Sequence, residues 1–187
     1  HITKKTFEVM MHDKEILIFP ILSAVFSIIL FAIFIIPWLV ATIVSDMLSG
    51  FGPVMIYLGI FIFYFGATFL TVFFNAGVVH IAKTRLEGGN ATFADGIGAG
   101  FTHIGKIFGW SLLSATVGVI LNILESQANK KGGILGIIGN ILVSLIGFAW
   151  AIVSVFVVPA MVIKNLGPID ALKLSTKTIK KTWGESL

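Results

Sequence analysis

The sequence predicts an all-α, polytopic membrane protein: four transmembrane helices in two hairpins, accompanied by short amphipathic helices on the cytoplasmic side. Three observations carry this expectation. Of the 187 residues, 57% are hydrophobic and only 12% are charged, about half the charged share of an ordinary soluble domain. A water-soluble globule of this size cannot clothe its surface with so few charges, and the mean hydropathy of +1.02 agrees. Four apolar runs each reach the ~20 helical residues that cross a bilayer core. Finally, lysine and arginine gather at the ends of those runs rather than on one soluble face.

Helix is the only reading that suits these runs. A lone strand in lipid leaves its backbone groups unpaired, and the runs lack the in–out alternation of a barrel. The whole chain, 1–187, reads as one membrane domain. A first mixed segment, about residues 3–14, precedes a span from Ile16 to Val44. Pro20 lies near its start and Pro37 is a candidate kink. The second span runs from Val54 to Ala82 and carries Phe61, Phe63, Phe65, Phe69, Phe73 and Phe74, read as lipid-facing and interhelical bulk. The third covers Ile104 to Leu124 and the fourth Ile134 to Ile163, with Pro159 as a second candidate kink. Three of the four span about 43 Å at 1.5 Å per residue, so tilt, kinking or protrusion is expected.

The connections on one side have helical character. Thr92-Phe-Ala-Asp95 resembles a capping box and opens a Gly-rich segment, about residues 92–103. Gly167-Pro-Ile-Asp170 opens a comparable one, about 168–182, with proline at the first helical position and an acid in the first turn. There Ile169, Leu172, Leu174 and Ile179 alternate with Lys173, Lys177, Lys180 and Lys181, the pattern of a helix on an anionic leaflet. The two segments overlay: Asp95 on Asp170, Ile104 on Ile179, Lys106 on Lys181, Trp110 on Trp183. A repeated unit of surface helix, span, span follows, with a third copy starting at Pro168. Because the chain starts at His1 rather than Met, His1 is not expected to be the natural start.

Eleven of the 13 basic residues fall on one side of the spans; only Lys130 and Lys131 fall on the other. The positive-inside rule then predicts a plasma-membrane protein with both ends cytoplasmic. The basic residues are topological signals, so no nucleic acid partner is expected.

Several stretches in order carry a resemblance. They are Asp13-Lys-Glu-Ile-Leu-Ile-Phe-Pro20, Phe74-Asn-Ala76 with Arg85-Leu-Glu-Gly-Gly89, Gly109-Trp-Ser-Leu-Leu-Ser-Ala-Thr-Val-Gly118, and Gly167-Pro-Ile-Asp170 with Thr182-Trp-Gly-Glu185. In these the chain resembles an uncharacterised family of prokaryotic multi-span membrane proteins carrying a domain of unknown function. The resemblance implies about six spans, two of them after Leu187, and no activity.

Small and polar residues inside spans mark where helices touch. Ser114, Gly118 and Asn122 recur at helical steps in the third span; Asn140, Ser144, Gly147 and Ala151 do so in the fourth. These seven are the candidate helix-packing residues. The two stripes are expected to face each other across a short outer loop, with a hydrogen bond between Asn122 and Asn140. Lys173, Lys177, Lys180 and Lys181 are the candidate membrane-surface residues. Trp38, Trp110 and Trp183 are expected at interfaces, Trp150 deeper.

No catalytic, cofactor or metal site emerges. The chain has no cysteine, and His12, Asp13, His80, Asp95 and His103 match no paired-ligand spacing. Asp95-Gly-Ile-Gly-Ala-Gly100 lacks the Lys-Ser/Thr of a phosphate loop. No acid or base stands at mid-membrane, as a proton pump needs. The expected role is a non-enzymatic accessory or structural subunit, embedded in lipid and packing with other membrane chains. The alternative is a small transporter built from helical hairpin repeats.

Overall fold

The computed structural model describes residues 14–48 and 52–184. The elements are α1 (Lys14–Leu48), α2 (Gly52–Leu86), α3 (Phe93–Thr102), α4 (Ile104–Lys131), α5 (Gly133–Ser154), α6 (Val157–Ile163) and α7 (Pro168–Gly184). Among the described residues there is no strand. Four stretches are long and apolar enough to cross a membrane: Leu17–Val40, Ile56–Leu86, Ile104–Lys131 and Gly133–Ile163. The expected N-terminal surface segment lies almost wholly outside the described residues.

Three boundaries differ from the sequence reading, each for a local reason. At 35 residues, α1 and α2 outrun the hydrocarbon core, since each is about 52 Å long. The third span does not stop at Leu124. Glu125-Ser-Gln-Ala-Asn-Lys-Lys131 is polar, but glutamate, glutamine, alanine and lysine are strong helix formers, so α4 continues to Lys131. The turn into α5 is then made by Gly132 alone, at φ 59°, followed by Gly133 at φ 54°. Both are left-handed conformations that favour glycine. The fourth run breaks at Val155–Phe156, one turn before Pro159. Proline lacks the amide that would donate back to Val155, and its ring crowds that carbonyl.

That break is mended from outside. Ser175 of α7, fully buried, accepts the Phe156 N–H at 3.2 Å and donates to the Val153 carbonyl at 2.5 Å. One hydroxyl thus satisfies a donor and an acceptor of the backbone at the break.

The α3 segment forms as its first residues dictate. Thr92 Oγ1 accepts the Asp95 N–H at 3.4 Å, and Asp95 Oδ2 accepts the Thr92 N–H at 2.8 Å, a complete capping box. The Thr92 backbone N–H, and then its hydroxyl, hold the Asp95 carboxyl below its ordinary range. His103 ends the helix and turns the chain into α4, its N–H donating to Ala99 O at 3.1 Å.

Packing centres on α2, which meets α1, α3, α4 and α6; α7 lies across α4, α5 and α6. Buried side chains form two clusters at the α3–α7 end. In one, Phe19 of α1 is fully buried between Phe74 of α2 and Phe93 of α3, with ring centroids at 6.4 and 4.8 Å. In the other, Ile107 and Trp110 of α4 meet Val157 and Met161 of α6 and Ala171 of α7. Trp110 is only 4% exposed and stacks on Trp150 at 5.5 Å. It is a core residue, not part of an interfacial belt.

Elsewhere the large apolar side chains face outward, Ile28 at 69% and Leu135 at 70% exposure among them. In water this surface would be penalised at roughly 25 cal/mol per Å². In hydrocarbon it is at home.

The surface helices also share a burial pattern. With Asp95 laid on Asp170, Gly96 falls on Ala171 and Gly100 on Ser175, and all four are buried. A Cβ on Gly96 would stand 2.5 Å from Phe19 Cζ, so only glycine lets α3 lie this close to α1 and α2. Each helix turns a small residue and its i+4 neighbour toward the bundle just after its acid.

Candidate helix-packing and membrane-surface sites

The two small-residue stripes meet different neighbours. On α4, Ser114 is half-buried, and a Cβ on Gly118 would lie 3.4 Å from the Tyr64 ring of α2. Asn122 lines an apolar recess together with Trp38 of α1 and Tyr64 of α2. This stripe therefore looks toward α1 and α2 rather than toward α5.

The α5 contact uses another side of α4. A Cβ on Gly136 would sit 3.0 Å from the Ala128 carbonyl oxygen, and one on Gly139 would sit 2.8 Å from Ala128 Cβ. Further along, a Cβ on Gly147 would lie 3.7 Å from Leu121 Cδ1. Asn140 Nδ2 donates to Asn129 Oδ1 at 2.6 Å, so the expected bond to Asn122 is replaced. The physical reason is register. With a turn of one residue and Gly139 against Ala128, residue 140 stands across from residues 127–129, and Asn122 lies nearly two turns further along α4. Asn140 Oδ1 is buried and accepts no hydrogen bond among the described residues. Ser144 and Ala151 are exposed, away from α4.

On α7, Lys173, Lys177, Lys180 and Lys181 are all exposed. Lys173 pairs with Asp170 at 3.1 Å, an exposed i,i+3 contact of small energetic worth. The opposite face holds Ala171 and Ser175, fully buried, with Leu172, Leu174 and Ile179 half-buried. The apolar face of α7 is thus applied mainly to α5 and α6; of its large apolar residues Ile169 stays exposed.

Two polar connections escaped the sequence reading. Lys106 Nζ donates to the Asn165 carbonyl at 2.6 Å and to its Oδ1, tying α4 to the α6–α7 turn. Asn165 takes φ 55°, which asparagine tolerates better than most residues. An asparagine just past the last apolar residue of a helix is a C-terminal signal that could have flagged it. Arg85 Nη2 donates to the Ala91 carbonyl at 3.0 Å and braces the α2–α3 turn. Nothing in spacing alone foretold Ser175 as the mender of the α5–α6 break.

His80 and Asp95 are near enough that the imidazole adds slightly to the lowering of the carboxyl. His103 Nδ1 lies 2.8 Å from the Ala99 carbonyl, a local helix-end contact. Among the described residues no three histidine, aspartate or glutamate side chains gather to hold a metal; His12 and Asp13 fall outside those residues.

A family model described as a family of unknown function, DUF6159, matches residues 54–187, from the first turn of α2 to the last residue. The chain belongs to this family. No curated protein and no solved structure matches it. The DUF6159 match takes in nearly all of α2, α3 to α7 and every candidate helix-packing and membrane-surface residue, and α1 precedes it.

Proposed function

We propose that this protein is a non-enzymatic membrane component that packs with another membrane chain through α5, with the α3–α7 end on the cytoplasmic side. The observation that carries it is the bareness of α5. Across Gly133–Ser154 a single residue, Gly136, is buried. Ser144 and Ala151, seven apart, are exposed on a helix whose other outward residues are mainly isoleucine, leucine and phenylalanine. Lipid gains nothing from small residues, whereas a second helix uses them for close approach. The basic residues support the orientation: Lys83, Arg85, Lys106, Lys164 and the α7 lysines lie at one end of the bundle, Lys130 and Lys131 at the other.

Cysteine cross-linking tests the proposal without background, since the chain has no cysteine. Ser144→Cys and Ala151→Cys in native membranes should each yield a larger species with a bifunctional thiol–amine reagent, while the exposed Leu86→Cys should not. Monomer alone from both α5 variants would refute it.

A transporter is the alternative reading. The recess between α1, α2 and α4 is lined by aromatic and aliphatic side chains with Asn122, a lining that does not favour a hydrophilic solute.

A further inference from the structure

Two adjoining recesses share the Asn122 side chain. The inner one, about 300 Å³, is walled by Phe34 and Trp38 of α1 and by Leu58, Phe63 and Tyr64 of α2. The second, about 640 Å³, lies against the last turns of α4 and is lined by Asn122, Glu125, Ser126, Asn129 and Lys130. These five recur at i, i+3, i+4, i+7 and i+8, so they share one face of α4. Glu125 and Lys130 flank that face on opposite sides. An apolar slot thus opens into a polar one carrying both signs of charge.

The polar groups are uncommitted. Neither the Glu125 carboxylate nor the Lys130 ammonium has an ion-pair or hydrogen-bond partner among the described residues. Ser111, Thr116 and Ser154 turn their hydroxyls back to the carbonyl four residues earlier; Ser126 makes no such bond. Asn129 Oδ1 is taken by Asn140, which leaves its NH2 as a donor. Donors therefore gather from Ser126 to Lys130, with a single anionic acceptor beside them.

We propose that this double recess binds a zwitterionic phospholipid: one acyl chain in the Trp38–Tyr64 slot, the phosphate at Ser126, Asn129 and Lys130, and the ammonium at Glu125. Charge complementarity selects this occupant. An anionic lipid would set its uncompensated charge beside Glu125. A hydrocarbon chain is no better off in the slot than among its neighbours, because lipid tails are as apolar as the slot walls. Selectivity therefore resides in the head group, where charge-assisted hydrogen bonds form. The site lies on α1, α2 and α4 and is independent of the α5 face.

The test is native mass spectrometry of the full chain released from nanodiscs of equal parts phosphatidylethanolamine and phosphatidylglycerol. Wild type should retain phosphatidylethanolamine in preference by about fivefold, the range of one or two partly exposed charge contacts. Glu125→Lys should reverse the preference toward phosphatidylglycerol, and Lys130→Glu should abolish retention of both. Both side chains are exposed, and an unchanged size-exclusion profile confirms folding. Equal retention of the two lipids by wild type, or a preference that neither variant alters, would overturn the proposal. So would a co-purified polypeptide released by Glu125→Lys in place of lipid.

Discussion

At the scale of single residues, stability in an apolar surrounding is governed by polar atoms, because burying another leucine changes little there. Ser175 illustrates this. Its hydroxyl holds the Phe156 N–H and the Val153 carbonyl, and no water stands ready to replace it. Ser175→Ala should destabilise the detergent-solubilised protein by about 1–3 kcal/mol, the cost of leaving buried polar groups unpaired. Ser111→Ala is the informative comparison. Ser111 is equally buried, but its hydroxyl only doubles a bond to the Ile107 carbonyl that the helix already satisfies. Thermal unfolding should show a clear loss for Ser175→Ala and little for Ser111→Ala; equal losses would show that the break needs no mending. Neither role was legible in the sequence: Ser111 stands in an apolar run and Ser175 among lysines and threonines, and neither setting tells what the hydroxyl will meet. What separates them is the break at Val155–Phe156, whose Val153 carbonyl and Phe156 N–H lie about 20 residues from Ser175 in the chain and within hydrogen-bond reach of it in space.

At the scale of elements, the apolar runs were plain to read because length and hydrophobicity suffice to mark a span. Their ends and their faces were not. Glu125 to Lys131 looks like a loop by polarity and is helix by propensity. Small residues announce that some helix comes close, but the code does not say which; Gly118 meets Tyr64 of α2 instead of α5. The α7 apolar face met the same ambiguity, because protein and lipid are both apolar surroundings. The start of α3 was fully legible, as a capping box is read from four consecutive residues. Thr92→Ala should cost about 1 kcal/mol of local helix stability, seen as faster amide exchange over residues 93–102. The Asp95 carboxyl is held below its ordinary value of 3.8, so its contribution is present above that pH. It fades as pH falls through the lowered folded value. Asp95→Asn should remove this acid-induced loosening of α3, and a variant that loosens like wild type would show that Asp95 is not its source.

The whole molecule is lopsided. Its buried side chains gather at the α3–α7 end, where α3, α6 and α7 brace the spans, while α5 and much of α1 stand bare. That distribution fits the proposed orientation, with a firm cytoplasmic base and an opposite half left for lipid and partners. Lys131→Cys should react with a membrane-impermeant maleimide in intact cells, whereas Lys177→Cys should react only after permeabilisation. Equal labelling of both would invert or abolish the assignment. The grouping of the described lysines at the two ends of the bundle follows from the order of the spans, but the lopsidedness does not, because hydropathy does not tell a lipid-facing apolar side chain from a packed one.

The single glycine between α4 and α5 has a consequence for biogenesis. One residue reaches less than about 4 Å, far short of a 30 Å hydrocarbon layer. Neither helix can settle in the bilayer while the other waits in water. The two must enter as one folded pin, and Lys130 and Lys131 lie beside its tip. Should that tip emerge outside, both ammonium groups travel against the resting voltage, at about 2.3 kcal/mol per charge for each 100 mV. Insertion of this segment should then quicken when cells are depolarised.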